Sequence, residues 1–225
     1  MNKVTIGIAI PCYKGHIEAL QFLLDSIERQ TRKADNVIVS CSSCEASDIP
    51  PSYYKYSFPL QIVTHTEIRN AAQNRNTAIS YLNTDLVTVM DADDQMHPQR
   101  LESIEHCFQN PNTEVFVHFY ETRVHHDFVN YTAFPLELNK LYVCPWRSVQ
   151  HINYPRGDIV HNGQVSFRRK TFEKVRYREE QYYFGREDIF FVGDIIRLYP
   201  NGTAFCPLRL SKYIPSRTQI KDPSR

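Results

Sequence analysis

The sequence predicts an α/β domain built on a mainly parallel sheet with helices on both faces. Three observations predict it. Apolar, β-branched runs alternate with segments of helical period as far as residue 120. Each of three such runs passes directly into polar residues: Pro11 to Lys14, Ser40 to Ser43, and Asp91 to Asp94. Hydrophobic residues make up 42% and charged residues 23% of 225, ordinary usage for a chain that buries its own core.

The elements follow in order. Val4 to Ile10 is a short apolar run ending at Pro11 and reads as a buried first strand. Ile17, Leu20, Leu24 and Ile27 recur at helical spacing, so a helix is expected over Ile17 to Gln30. Asn36 to Ser40 is a second strand, and Pro50-Pro51 marks a loop. Leu60 to Thr64 is a third strand. Asn70 to Leu82 is a polar helix whose buried side holds Ala72, Ala78, Ile79 and Leu82. Leu86 to Met90 is a fourth strand, a helix runs from Pro98 to about Gln109, and Glu114 to Tyr120 is a fifth strand. The stretch from His125 to Asp158 is rich in aromatics and prolines and has no period. A strand is expected within Ile159 to Arg168 and a helix over Arg186 to Tyr199, while Ser211 to Arg225 reads as a loose polar tail.

Composition excludes several functions. The net charge of +1 lacks the basic excess of a nucleic-acid binder, so an anionic ligand has to be held by a local site. No run is long enough for a membrane span, and Val4 to Ile10 is too short for a signal peptide, so a cytoplasmic protein is expected. Of six cysteines, Cys41 and Cys44 form a lone C-x-x-C without the second pair that a zinc site needs. Reduced thiols are the expectation. His125-His126 makes a poor metal pair, since neighbours on a strand point opposite ways.

The chemistry lies in Asp91-Ala92-Asp93-Asp94. Carboxylates at i and i+2 past a strand end can reach one ligand, and hard oxygen donors suit Mg²⁺ or Mn²⁺. In open α/β sheets ligands collect outside the carboxyl ends of the strands, where these acids fall. The plainer alternative is that they cap the following helix.

Four segments in order resemble the family 2-like glycosyltransferases of the GT-A fold: Ile8 to Tyr13 (the opening strand and its P-x-Y turn), Asn74 to Ala78 (A-R-N-x-G), Leu86 to Asp94 (D-x-D-D), and Phe184 to Asp188 (the late E-D). The resemblance implies a single GT-A-type domain over residues 1–215 with a Rossmann-like sheet. Its halves would be a nucleotide-sugar-binding half over 1–121 and an acceptor-binding half over 122–215, with a tail over 216–225. It implies an inverting transfer of a sugar from a nucleotide-diphosphate sugar, UDP-sugar favoured, to a hydroxyl of a carbohydrate or glycoconjugate acceptor. Pro11 and Tyr13 would lie against the base, and Arg75 would approach the base or the diphosphate. Asp91 would bind ribose or assist the metal, Asp93 would be the principal metal ligand, and Asp94 would hold sugar hydroxyls or the neighbouring loop. Asp188 would be the general base and Glu187 would position base or acceptor.

This sequence departs from the family pattern at two places. Ser40-Cys41-Ser42-Ser43 stands where the family often carries an acidic D-D-G-S turn, so Ser40 and Ser42 are expected to meet the nucleotide with hydroxyls. No histidine follows His161, so water, phosphate or His161 would complete a metal shell. His161 and Asn162 are candidates for donor or acceptor contact, and Trp146 is a candidate sugar platform or a core residue. A dehalogenase-type phosphohydrolase would place its Asp-x-Asp after the first strand. A pyrophosphorylase would need a Gly-rich loop that 7 glycines do not supply. The alternative from another class is a non-catalytic carbohydrate- or nucleotide-sugar-binding protein of the same fold.

Overall fold

The computed structural model describes residues 4–121, 128, 144–145, 160–183 and 185–214. His125, His126, Trp146 and Phe184 therefore lie outside the described residues, as do residues 216–225. The first half alternates as the sequence pattern requires: β1 (Ile6–Tyr13), α1 (Ile17–Glu28), β2 (Asn36–Ser42), β3 (Leu60–His65), α2 (Ala71–Ser80) and β4 (Leu86–Val89). These four strands pair in parallel in the order β3-β2-β1-β4. A two-residue strand β5 (Gln95–Met96), α3 (Arg100–Cys107) and β6 (Val115–Glu121) follow. Beyond them come β7 (Cys144–Pro145), β8 (Val165–Arg168), α4 (Glu187–Leu198) and β9 (Thr203–Lys212).

Strand pleating explains the two cores. In β1, Ile6, Ile8, Ile10 and Cys12 face one side, where Leu20, Leu24 and Ile27 of α1 and Leu101 and Ile104 of α3 meet them. Ala9 faces the other side with Ala78 and Ile79 of α2 and Phe191, Val192 and Ile195 of α4. Helices thus cover both faces, which is why β1, β2 and β4 are buried on both sides along most of their length.

The second half adds antiparallel pairing. β8 enters between β4 and β6 and runs antiparallel to both, while β9 runs parallel to β6. The expected polar tail is shorter than its composition suggests. Ser211 and Lys212 belong to β9, and Ser211 is fully buried. Its hydroxyl donates to the Gly163 carbonyl, and it accepts from Arg100 at 2.6 Å.

Arg100 is the tie among these strands. Its guanidinium is fully buried and donates to the Gly163 carbonyl at 2.8 Å, to Ser211 and, at 2.6 Å, to the Thr88 hydroxyl. Burial brings its pKa down to about 10. Gly163 has no room for a side chain, because a Cβ there would lie 2.1 Å from the Tyr120 hydroxyl. Arg100→Leu orphans several buried acceptors at once and is expected to lower unfolding free energy by about 3 kcal/mol. Urea denaturation reads this directly; an unchanged midpoint would show that the strands are held without the guanidinium.

Candidate active site

The site forms where β1, β2 and β4 end on the same edge of the sheet. Parallel register places Pro11 beside Ser40, Cys12 beside Cys41 and Tyr13 beside Ser42, and sets Ala9 of β1 against Val89 at the end of β4. A cleft of about 320 Å³ opens there, lined among others by Pro11, Tyr13, His16, Arg75, Asp91 and Asp93. Asn74, Arg69 and Tyr213 also reach it.

Arg75 organises the floor. It sits on the buried face of α2, whose start is fixed by a reciprocal pair of hydrogen bonds between Asn70 and Gln73. Its guanidinium donates to Asp91 at 2.8 Å and to Glu187 at 2.6 Å. The Asn162 amide, with its oxygen toward the guanidinium, accepts at 2.9 Å and donates to the Tyr177 hydroxyl at 2.6 Å. Burial alone would lower the pKa of Arg75, but Asp91, Tyr177 and Glu187 outweigh it and push it up. One side chain therefore joins the strand-four acids to the late acidic pair.

The two acidic stretches also converge on Tyr120. Its buried hydroxyl is pushed well up, first by burial and then by the charges of Asp94, Asp91 and Asp188. Asp94 is fully buried and accepts from the Ile214 backbone N–H at 3.0 Å and from Tyr120 at 3.5 Å. Burial, and next the charge of Asp91, raise its pKa well above the usual range. Of the two roles expected for Asp94, these contacts fit a tie to the neighbouring chain and leave it no surface for a sugar. Asp93 faces the cleft and is raised by burial, with His16 acting in the opposite sense from 3.8 Å. The helix after this motif begins at Arg100 with Gln99 as its N-cap, so the four residues Asp91 to Asp94 are not its caps.

Asp188 stands in the first turn of α4, after Gly185, whose φ of 73° suits glycine. Asp188 Oδ1 accepts the Ile189 N–H at 2.8 Å, and Oδ2 lies 3.1 Å from His161 Nδ1. Burial would raise its pKa, but the His161 bond, the charge of Arg75 and the Ile189 N–H hold it below the usual carboxylate range. The Asp188 bond raises His161 in turn. Glu187 and Asp188 do not line the cleft of about 320 Å³; Arg75, which does, links Glu187 to it.

Ser40 and Ser42 sit behind the cleft wall. Both are buried, and neither lines the cleft. The Ser40 hydroxyl donates to Asn74 Oδ1 at 3.0 Å, while Asn74 Nδ2 donates to the Cys12 carbonyl and to Ser42 Oγ, each at 3.0 Å. Their hydroxyls tie β1 and β2 to α2 through Asn74. Cys41 and Cys44 are free, buried thiols. Hydrogen bonding to Cys12 and burial push Cys41 up, and burial pushes Cys44 up to about 12, which makes both poor nucleophiles. Sequence reasoning missed His16, Arg69, Asn74 and Tyr213 as lining residues. His16 was within reach of it, standing three residues past Tyr13 at the same strand end; nothing marked Tyr213.

Among the described residues, no group of three or more His, Cys, Asp or Glu side chains is arranged to hold an ion by itself. Nor is any helix long and apolar enough to cross a membrane. The model of the family described as "Glycosyl transferase family 2" matches residues 7–186, most of the chain. The chain belongs to glycosyl transferase family 2. No curated protein matches it. Among solved structures, this family 2 chain is similar to S. aureus TarS 1-349 in complex with UDP, at a TM-score of 0.67 and 15% identity, over 96% of this chain and 62% of that one. It is similar to the same TarS fragment in complex with UDP-GlcNAc, at 0.66 and 15%, over 97% and 61%. It is also similar to the mannosyltransferase PcManGT from Pyrobaculum calidifontis in complex with GDP-Man and Mn²⁺, at 0.64 and 18%, over 96% and 59%. These likenesses establish a GT-A-type fold, and the family 2 chain spans about three-fifths of the length of each of those proteins.

The His161–Asp188 pair makes stability depend on pH. A raised imidazole contributes stability that is full below about pH 6.5 and is lost as pH rises through the folded value. Asp188→Asn is therefore expected to lower Tm more at pH 6 than at pH 9. Thermal denaturation at the two values reads the difference; an equal loss at both would show that the pair is not formed.

Proposed function

We propose that this chain transfers a sugar from a nucleotide-diphosphate donor, UDP-sugar favoured, to a hydroxyl of a carbohydrate or glycoconjugate acceptor, with inversion. The observation that carries the reading is the Arg75 junction. It sets the cleft acids Asp91 and Asp93 on one side and Glu187 with Asp188 on the other. Membership of family 2, and the UDP-, UDP-GlcNAc- and GDP-Man-bound structures of similar fold, support it.

The physical division of labour follows the geometry. Pro11 and Tyr13 offer an apolar wall for the base, and Arg69 and His16 bring donors to the same cleft. Asp91 and Asp93 fit a divalent cation. Asp93 is an ionisable oxygen donor in the cleft with His16 Nε2 at 3.8 Å, and hard cations that travel with phosphates need only one or two carboxylates from the protein. Mg²⁺ or Mn²⁺ held there would supply charge for the departing diphosphate. Arg75 holds Asp91 in place while Glu187 balances the guanidinium, so the floor carries no free positive charge to trap the product. On the other side, Asp188, the general base that the resemblance implies, would with its partner His161 supply the proton acceptor that an in-line displacement requires. Residues 122–215 would shape the acceptor side.

A non-catalytic binding protein of this fold would use the cleft acids and leave Asp188 idle. A thermal-shift panel of UDP, GDP and dTDP with and without Mn²⁺ is expected to give cation-dependent stabilisation by one nucleotide. Asp93→Asn should abolish the cation's share. Asp188→Asn should keep that shift and lose at least about 100-fold in transfer. Normal turnover by Asp188→Asn would contradict the proposal.

A further inference from the structure

We propose that the acceptor proton passes to Nε2 of His161, with Asp188 as the carboxylate that orients and steadies the imidazole. This rests on the transferase reading above and assigns its proton-accepting atom.

The bonding around Asp188 leads to it. Each of its oxygens already meets a donor, Oδ1 the Ile189 N–H and Oδ2 the His161 ring. A carboxylate held ionised can only accept, so Nδ1 of the neutral imidazole carries the hydrogen and Nε2 keeps its lone pair. No described residue bonds that nitrogen, and the side chain is 51% exposed. Asp188, by contrast, is mostly covered, at 16%.

The ring is also held. The His161 backbone N–H donates to Gln164 Oε1 at 3.0 Å. Arg100 pins the Gly163 carbonyl, and Asn162 is fixed against Arg75. Tyr120 lies beside the imidazole, with ring centroids 5.8 Å apart. A base needs both this rigidity and a proton affinity near the working pH. Free imidazole and free aspartate differ by about 2.6 units, at about 6.5 and 3.9. The surroundings widen the gap, lowering Asp188 and raising His161. The charged and titratable groups facing the imidazole are Asp188 from α4, Asp91 from the end of β4 and Tyr120 from β6; the two carboxylates favour its protonated form. The arrangement repeats the division in which a carboxylate orients a histidine and the histidine moves the proton.

In the step, the acceptor oxygen forms a bond to the anomeric carbon as its hydrogen passes to Nε2. The bond from that carbon to the diphosphate oxygen breaks, and its electron pair leaves with the nucleoside diphosphate. Asp188 stays ionised beside the resulting imidazolium, which returns its proton to water.

The test uses the full chain. Release of nucleoside diphosphate from UDP-GlcNAc, UDP-glucose and GDP-mannose is followed against pH with Mn²⁺, with water or methyl glycosides as acceptor. Nitrogen-detected NMR of labelled histidine runs beside it. The wild-type rate is expected to fall as pH drops through a value at or above about 6.5. His161→Ala should lose at least about 100-fold and regain part of it with added imidazole. NMR should find Nδ1 carrying the hydrogen in the neutral ring, and a lower His161 titration in Asp188→Asn. His161→Ala with the wild-type rate and pH profile, beside an inactive Asp188→Asn, would make the carboxylate itself the base and overturn the proposal. So would a His161 titration indifferent to Asp188→Asn. Intact NMR signatures with no nucleotide released from any of the donors would instead sink the transferase reading, and this assignment with it.

Discussion

A single buried guanidinium bridges two carboxylates that lie 96 positions apart in the sequence, and the site depends on that bridge. Arg75 holds Asp91 at 2.8 Å and Glu187 at 2.6 Å, with Asn162 and Tyr177 completing its surroundings. Taking such ions out of water costs nearly as much as their attraction returns, so the bridge contributes little to net stability while intact. Losing one member leaves an uncompensated buried charge, at a cost of about 3–5 kcal/mol. Its value is geometric. α2, the end of β4, the start of α4 and the His161 turn cannot move independently while the charges must stay matched.

The sheet brings those elements within reach. β1, β2 and β4 run parallel and end together, so residues far apart in the chain meet at one edge. β8 then enters antiparallel beside β4 and carries the His161 to Gln164 turn to the same edge. Arg100 fastens that turn to β9, and Asp94 receives the backbone beyond β9. The acids of strand four thus divide their work: Asp91 and Asp93 face the cleft, and the fully buried Asp94 holds the chain that borders it.

Much of the first half was legible because local pattern and tertiary role coincide there. Ile17, Leu20, Leu24 and Ile27 predict the buried face of α1, and Leu86 to Met90 predicts a strand running into the acids. α2 was harder, since its buried face carries Asn74 and Arg75, polar residues that only the site explains. β9 was missed because its alternation is interrupted by Pro207 and ends in Ser211 and Lys212, which look like tail residues until Arg100 and Gly163 are placed around them. Ser40 and Ser42 show a related ambiguity. A hydroxyl at a strand end serves a ligand or a neighbour equally well, and here the Asn74 amide, one turn into α2, is the nearer partner. The His161–Asp188 contact joins residues 27 apart across two elements, a pairing that no periodicity encodes.

In the proposed transfer, a donor lying along the cleft from Pro11 to Asp93 would present its anomeric carbon to the His161–Asp188 side. A crystal structure of the chain with UDP-GlcNAc and Mn²⁺ tests it most directly. The account predicts the base against Pro11 and Tyr13, the cation on Asp93 with the diphosphate, and the sugar facing His161. Nucleotide bound on another surface, or a sugar directed away from His161 and Asp188, would contradict it.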